Sequence, residues 1–310
     1  MKKILLIIIM FILTSCNYTE INELEIITSM ILDYKDNNYI LTSQIVNSDN
    51  IINIYNTSGK TIDECIYKLS SLSNKKVFLS HLKTLIITED LIKSNKDYTD
   101  YFLRDPKIKM NFNIYFIDDK YKDDVFIINK DKFYIKDITK FNTKDYSSTY
   151  ELSFLDLVYK KEYKIDIMYP NIIVQDNNIY LKNLVGFNSN YEKVILNNNE
   201  SIYYNMITNN LNKTDLVIPC KNNNFSITIN KSNIKNNTLT ITGKMNSYDC
   251  IYDLNKSDTM NKLSNITNKE IEKNINNLIN KLNNKMNIPI NKVTVKSSIT
   301  SIGELRKWKK

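Results

Sequence analysis

The sequence predicts an α+β protein of more than one domain, a mixed α/β N-terminal region followed by a C-terminal antiparallel sheet with one long helix. Three observations predict it. Two Thr-x-x-Glu pairs, Thr61 with Glu64 and Thr267 with Glu270, each stand ahead of apolar residues at helical spacing. Segments in which apolar and polar residues alternate lie on both sides of those helices. These strand-like segments crowd the last third of the chain, an order that suits α+β rather than a doubly wound sheet.

Taken in order, Glu23 to Met30 is moderately apolar, and Tyr39-Ile40-Leu41 with Ile45-Val46 predicts a strand. Thr57-Ser58-Gly59-Lys60 is a turn into the first capping box, and Ile62, Cys65, Ile66, Leu69 and Leu72 form one helical face. Val77 to Thr88 reads as a buried strand, with a second helix start at Thr88-Glu89-Asp90. Tyr98 to Arg104 is a short helix stopped by Asp105-Pro106, and Phe112, Ile114 and Phe116 mark another strand. Tyr121 to Pro170 is less periodic and reads as a subdomain or a long connection. Leu184 to Phe187 and Val194 to Leu196 look like a hairpin; Phe225, Ile227, Ile229, Leu239 and Ile241 alternate with polar residues. Ile271, Ile275, Leu278, Leu282 and Met286 give the long helix one apolar face, and Val293 and Val295 a returning strand. With only 4 glycines, the runs Asn197-Asn198-Asn199 and Asn222-Asn223-Asn224 read as turns, because Asn tolerates the left-handed backbone. The expected division is 1–15 signal peptide, 16–22 tether, 23–175 N-terminal region with a break near 120, and 176–310 C-terminal domain.

The net charge of +8 is carried almost wholly by lysine; Arg104 and Arg306 are the arginines. Lysine lacks the forked guanidinium that reads bases, and the lysines are scattered among acids, so a nucleic-acid partner is not indicated. A mild attraction to anionic lipid headgroups is the better reading of the excess.

The chain opens Met1-Lys2-Lys3, then runs apolar from Ile4 to Leu13. A basic start and a short apolar core make a secretory signal; a span would need about 20 apolar residues. Leu13-Thr14-Ser15-Cys16 resembles a bacterial lipobox, with an aliphatic residue, two small residues and the cysteine that accepts a diacylglycerol. Cys16 is thus the expected lipidation site, and the expected location is the outer face of a cell membrane, held by acyl chains.

Cys65 lies on the apolar face of the first helix and reads as a small buried hydrophobe. Cys220 and Cys250 flank two strands and could form a disulfide in an exported protein, though spacing does not decide pairing. No two cysteines sit at CxxC spacing and His81 is the only histidine, so no metal set is read. GxSxG, HExxH and phosphate-loop motifs are absent, and neither an enzyme nor a cofactor is indicated. Asp118-Asp119 and Asp123-Asp124 read as solvated turns rather than as paired catalytic carboxylates.

Several segments carry a resemblance. Tyr18-Thr19-Glu20-Ile21-Asn22-Glu23-Leu24, Gln44-Ile45-Val46-Asn47, Ser58 to Glu64, Ser80-His81-Leu82-Lys83-Thr84-Leu85-Ile86-Ile87 and Phe102-Leu103-Arg104-Asp105-Pro106 follow in order. Val217-Ile218-Pro219-Cys220, Ser232-Asn233-Ile234-Lys235 and Tyr248-Asp249-Cys250 come later. Together they resemble the Ger(x)C spore germination lipoproteins, the C subunits of nutrient germinant receptors. Where that family usually carries Trp-Asp after the lipidated cysteine, this chain has Asn17-Tyr18. The resemblance implies a non-enzymatic subunit on the outer face of the spore inner membrane, beside integral-membrane A and B subunits. Within the segment from Ser80 to Pro106, His81, Arg104 and Asp105 are the candidate partner contacts; the same stretch also reads as core of the first domain, with Arg104 and Asp105 an internal ion pair. A second reading is a lipid-anchored protein that captures a small ligand for a transporter. It would call for two lobes of repeated βαβ units, which the strand-rich last third does not suggest. A lipid-anchored hydrolase would need a catalytic set that the sequence does not offer.

Overall fold

The computed structural model describes residues 23–46, 52–128, 147–252, 258–288 and 292–301. Two sheets organise them. The larger has nine strands: β1 (Leu24–Lys35), β2 (Asn38–Val46), β3 (Ile52–Gly59), β4 (Lys76–Phe78), β5 (Thr84–Thr88), β6 (Asn113–Ile117), β7 (Ile167–Gln175), β8 (Asn178–Phe187) and β9 (Lys193–Ile195). The order is β3-β2-β1-β5-β6-β7-β8-β9, with β4 also beside β1. β1, β5, β6 and β7 run parallel, and an antiparallel pair closes each flank. Every residue of β5 and β6 is buried, as expected of parallel strands covered on both faces. One face carries the main core, including the packed rings of Phe102, Phe112 and Phe154; the other holds a smaller cluster around Ile86, Tyr115 and Phe126.

The helices are α1 (Ile62–Ser73), α2 (Glu89–Lys93), α3 (Thr99–Arg104), α4 (Asp124–Ile128), α5 (Phe154–Glu162), α6 (Asn198–Ile207) and α7 (Thr259–Asn283). α1 begins as its sequence dictates: Thr61 Oγ1 accepts the Glu64 N–H at 3.1 Å. The Glu64 carboxylate, however, takes the N–H of Lys60 at 2.7 Å, one residue before the cap. The buried face is Ile62, Cys65 and Leu69, whereas Leu72 is 60% exposed. Burial pushes the Cys65 thiol up to about 11, the behaviour of an inert buried group.

The smaller sheet is β10 (Thr214–Cys220), β11 (Asn223–Lys235), β12 (Thr238–Tyr248) and β13 (Thr294–Ser301), in that order. Its first three strands form an antiparallel meander. β13 departs from the antiparallel expectation by pairing parallel to β12, because α7 carries the chain back across the sheet. Ile271, Ile275, Leu278 and Leu282 are buried along α7 as the spacing predicts. α7 also joins the two sheets. Its Lys281 contacts Glu200 of α6 at 2.8 Å, and Asn274 donates to the Tyr203 hydroxyl at 3.2 Å.

Three expectations need correction. Thr267 caps nothing: α7 starts at Thr259, and Thr267 is a fully buried residue inside it, because Leu263 continues the apolar face upstream. Asn197 is not a turn residue but the cap of α6, with the full reciprocal box to Glu200. Val77 to Thr88 is two strands. Between the pairs Ile26–Phe78 and Ser29–Thr84, β1 advances three residues while its partner advances six, and the surplus loops out with Leu79 and Leu82 in the core. The expected boundary at 175/176 lies in the turn of the β7–β8 hairpin, whose two strands both belong to the large sheet. That sheet also continues past residue 120, where β6 pairs with β7.

Asparagine does supply the left-handed turns. Asp36-Asn37, Asp176-Asn177 and Asn236-Asn237, at the tips of three hairpins, all have φ between 49° and 64°.

Candidate functional site

A cleft of about 660 Å³ opens at one end of the large sheet. Tyr34 at the end of β1 and Tyr39 at the start of β2 form one wall, Lys60 to Asp63 at the entry to α1 a second, and Lys96 to Pro106 the third. The left-handed Asp36-Asn37 turn folds β2 back so that the two tyrosines meet edge to face, centroids 5.1 Å apart. The Tyr34 hydroxyl donates to Asn37 Oδ1 at 2.7 Å, and Lys96 Nζ lies 5.6 Å from the Tyr34 ring.

Arg104 does not pair with Asp105. Its Nε lies 2.7 and 2.8 Å from the two oxygens of Asp100, one turn earlier on α3, because residues four apart face each other on a helix. Asp105 ends α3 and accepts the Lys107 N–H at 2.9 Å. Asp97 is pulled both ways. Burial raises its pKa, but hydrogen bonds from Thr99 and Lys161, the latter at 3.1 Å, outweigh this and hold the carboxyl below its usual range. Arg104 and Asp105 thus share the cleft, whereas His81 lies outside it. His81 is exposed in the loop between β4 and β5, its ring 5.7 Å from Phe78. The cleft offers aromatic faces and ions of both signs, a surface suited to recognition.

The same end of the sheet holds a group that the sequence reading missed. Asp33, Asp90 and Asp119 each present an oxygen within 4.8 Å of the others. Asp33 is 3% exposed, and Lys122 Nζ meets it at 2.6 Å while the Thr88 hydroxyl donates to it at 2.6 Å. Burial raises the Asp33 pKa, and these two partners, with the Tyr34 N–H, more than reverse it. Asp119 keeps a raised pKa through burial and the neighbouring Asp90. The three carboxylates are the donor set a hard cation would use, although Lys122 already supplies counter-charge to the buried member. Asp118, read as a solvated turn, does cap the short helix Asp119–Tyr121, but it also binds Lys193 at 3.0 Å; Lys193 in turn meets Glu89 at 2.7 Å. No spacing rule links Asp33 to residues so far along the chain; only parallel pairing of β1, β5 and β6 brings them together.

Cys220, at the end of β10, and Cys250, just past β12, are joined by a disulfide with Cα atoms 6.0 Å apart. The pair is expected to be oxidised in the isolated protein, as blocked alkylation in intact mass measurement would show. Replacing both by serine is expected to lower stability by about 2–3 kcal/mol, read from urea unfolding. Cys16, with Leu13, Thr14 and Ser15, lies outside the described residues.

Two family descriptions match the chain in order. "Spore germination protein N-terminal domain" matches residues 17–174, and "Spore germination B3/GerAC like, C-terminal" matches residues 187–295. The chain belongs to the GerAC spore germination family. The resemblance read from the segments after Cys16 therefore holds at the level of the family, whose match begins at the residue following that cysteine. The GerAC matches meet between 174 and 187, inside the β7–β8 hairpin, so the family's division and the division between sheets do not coincide. A solved structure titled "Crystal Structure of the GerBC protein" is similar at 13% identity, over 88% of this chain and 97% of that one, with a TM-score of 0.47. No curated protein matches the chain.

Proposed function

We propose that this chain is the lipid-anchored C subunit of a nutrient germinant receptor, and that it acts by assembling with integral-membrane A and B subunits rather than by catalysis. The observation that carries the reading is the ordered match to both parts of a spore germination family over residues 17–174 and 187–295. No helix among the described residues is long and apolar enough to cross a membrane; the attachment in this reading is through acyl chains on Cys16, the cysteine of the lipobox Leu13-Thr14-Ser15-Cys16. Between Cys16 and Leu24 the chain can reach at most about 30 Å, so the large sheet is kept close to the bilayer. Confinement of that kind raises the effective concentration of the folded part against exposed loops of membrane partners. The cleft with Arg104 and Asp105, and the exposed loop of His81, are the candidate contact surfaces. The test is affinity purification of the tagged chain from detergent-solubilised spore membranes. Recovery of two integral-membrane subunits supports the reading; recovery of the chain alone, under conditions that keep other membrane complexes whole, contradicts it.

A further inference from the structure

A second pocket, of about 400 Å³, lies where α5, α6 and the chain beyond α7 meet. Ile165, Ile207 and Ile288 make much of its wall, and the rings of Tyr150 and Tyr204 stand 6.5 Å apart within it. Two polar groups there have unmet needs. The first is Lys160. Among the described residues its ammonium makes one hydrogen bond, to the Tyr150 hydroxyl at a long 3.4 Å, and no ion pair. That hydroxyl is itself committed, donating to the Met168 carbonyl at 2.5 Å. Burial pushes the Lys160 pKa down, and Asp156 offsets this only in part. The Asp156 carboxylate already accepts the Ser153 hydroxyl at 2.6 Å. The second is Tyr204. It is 3% exposed overall, but its hydroxyl is not sealed off: it reaches the pocket and makes no hydrogen bond among the described residues. A hydroxyl that faces a pocket without a protein partner is free to donate to an acceptor placed there.

A part-buried cation with no direct ion pair, lying 5.5 Å from the Tyr150 ring, and a hydroxyl without an acceptor line the same pocket beside the isoleucines. We propose that this pocket binds a small organic monocarboxylate. Its oxygens accept from Lys160 Nζ and Tyr204 Oη, and its hydrocarbon part lies on the three isoleucines. The volume suits a ligand of that size. Glu151 and Asp156 also line the pocket; they weaken its attraction for any anion and oppose a second negative charge more strongly still. A monocarboxylate is therefore favoured over a dicarboxylate.

The experiment is calorimetric titration of the full chain with hexanoate, using 1-hexanol and hexylamine as neutral and cationic controls of the same length. Hexanoate is expected to bind at least about tenfold more tightly than either control, the factor that one charge-assisted hydrogen bond supplies. Lys160→Met is expected to abolish binding, and Tyr204→Phe to weaken it about tenfold while keeping the ring in place. Equal binding of hexanol, or no detectable binding of hexanoate, overturns the proposal. So does hexanoate binding that survives Lys160→Met. Should Lys160→Met not fold, Tyr204→Phe decides alone: an unchanged hexanoate affinity overturns the assignment.

Discussion

Lys122→Met is expected to destabilise the chain by about 3–5 kcal/mol, the cost of stranding a buried charge once its partner is removed. The charge is Asp33, whose side chain is 4% exposed and whose ammonium partner stands 2.6 Å away. Methionine retains most of the lysine stem's packing, so the loss isolates the ion pair. The double variant with Asp33→Asn should recover much of the stability, since no charge is then left buried. The pH dependence follows from the lowered Asp33 pKa. A carboxyl whose folded pKa is depressed contributes stability above its unfolded pKa and loses it as pH falls through the folded value. Wild type should therefore lose this contribution on acidification below the ordinary carboxylate range. The deficit of Lys122→Met relative to wild type should shrink over the same range, because protonated Asp33 needs no counter-ion. Urea midpoints at neutral and acidic pH check both; a variant within 1 kcal/mol of wild type by the one-pKa-unit scale would mean that the pair is not energetically coupled.

The second large effect concerns Cys16. Cys16→Ala is expected to move the protein from the membrane fraction to the soluble fraction of the spore, a loss of more than about tenfold. Two or three acyl chains anchor stably where none leaves only weak headgroup attraction. Fractionation and immunoblotting read the result. Retention of the alanine variant in salt-washed membranes would place the attachment elsewhere.

Local chemistry was legible and long-range pairing was not. The Thr61 cap, the stop at Asp105-Pro106 and the α7 apolar face can be read because each depends on residues within a turn or two of one another. Asn197 and Thr267 show how the same signals mislead. Both carry the right residue three places before a glutamate, yet one caps a helix and the other is buried inside one. The difference lies in whether apolar periodicity continues upstream, as Leu263 makes it do before Thr267. The Asp176-Asn177 turn does not by itself say where a domain ends, because a left-handed turn looks alike inside a domain and between domains. The acidic group of Asp33, Asp90 and Asp119, and the meeting of Lys160 with Tyr204, arise only when strands and helices far apart in sequence are assembled. Arg104 and Asp105 were singled out for the company of neighbouring segments, and the cleft does contain both, although Arg104 spends its charge on Asp100.

Deletion of the gene, followed by parallel challenge of the spores with nutrients and with calcium dipicolinate, tests the receptor reading most directly. The account predicts loss of the response to at least one nutrient, restoration by the wild-type gene, and an unchanged response to calcium dipicolinate. A full nutrient response in spores lacking this chain and every paralogue of it would contradict the account.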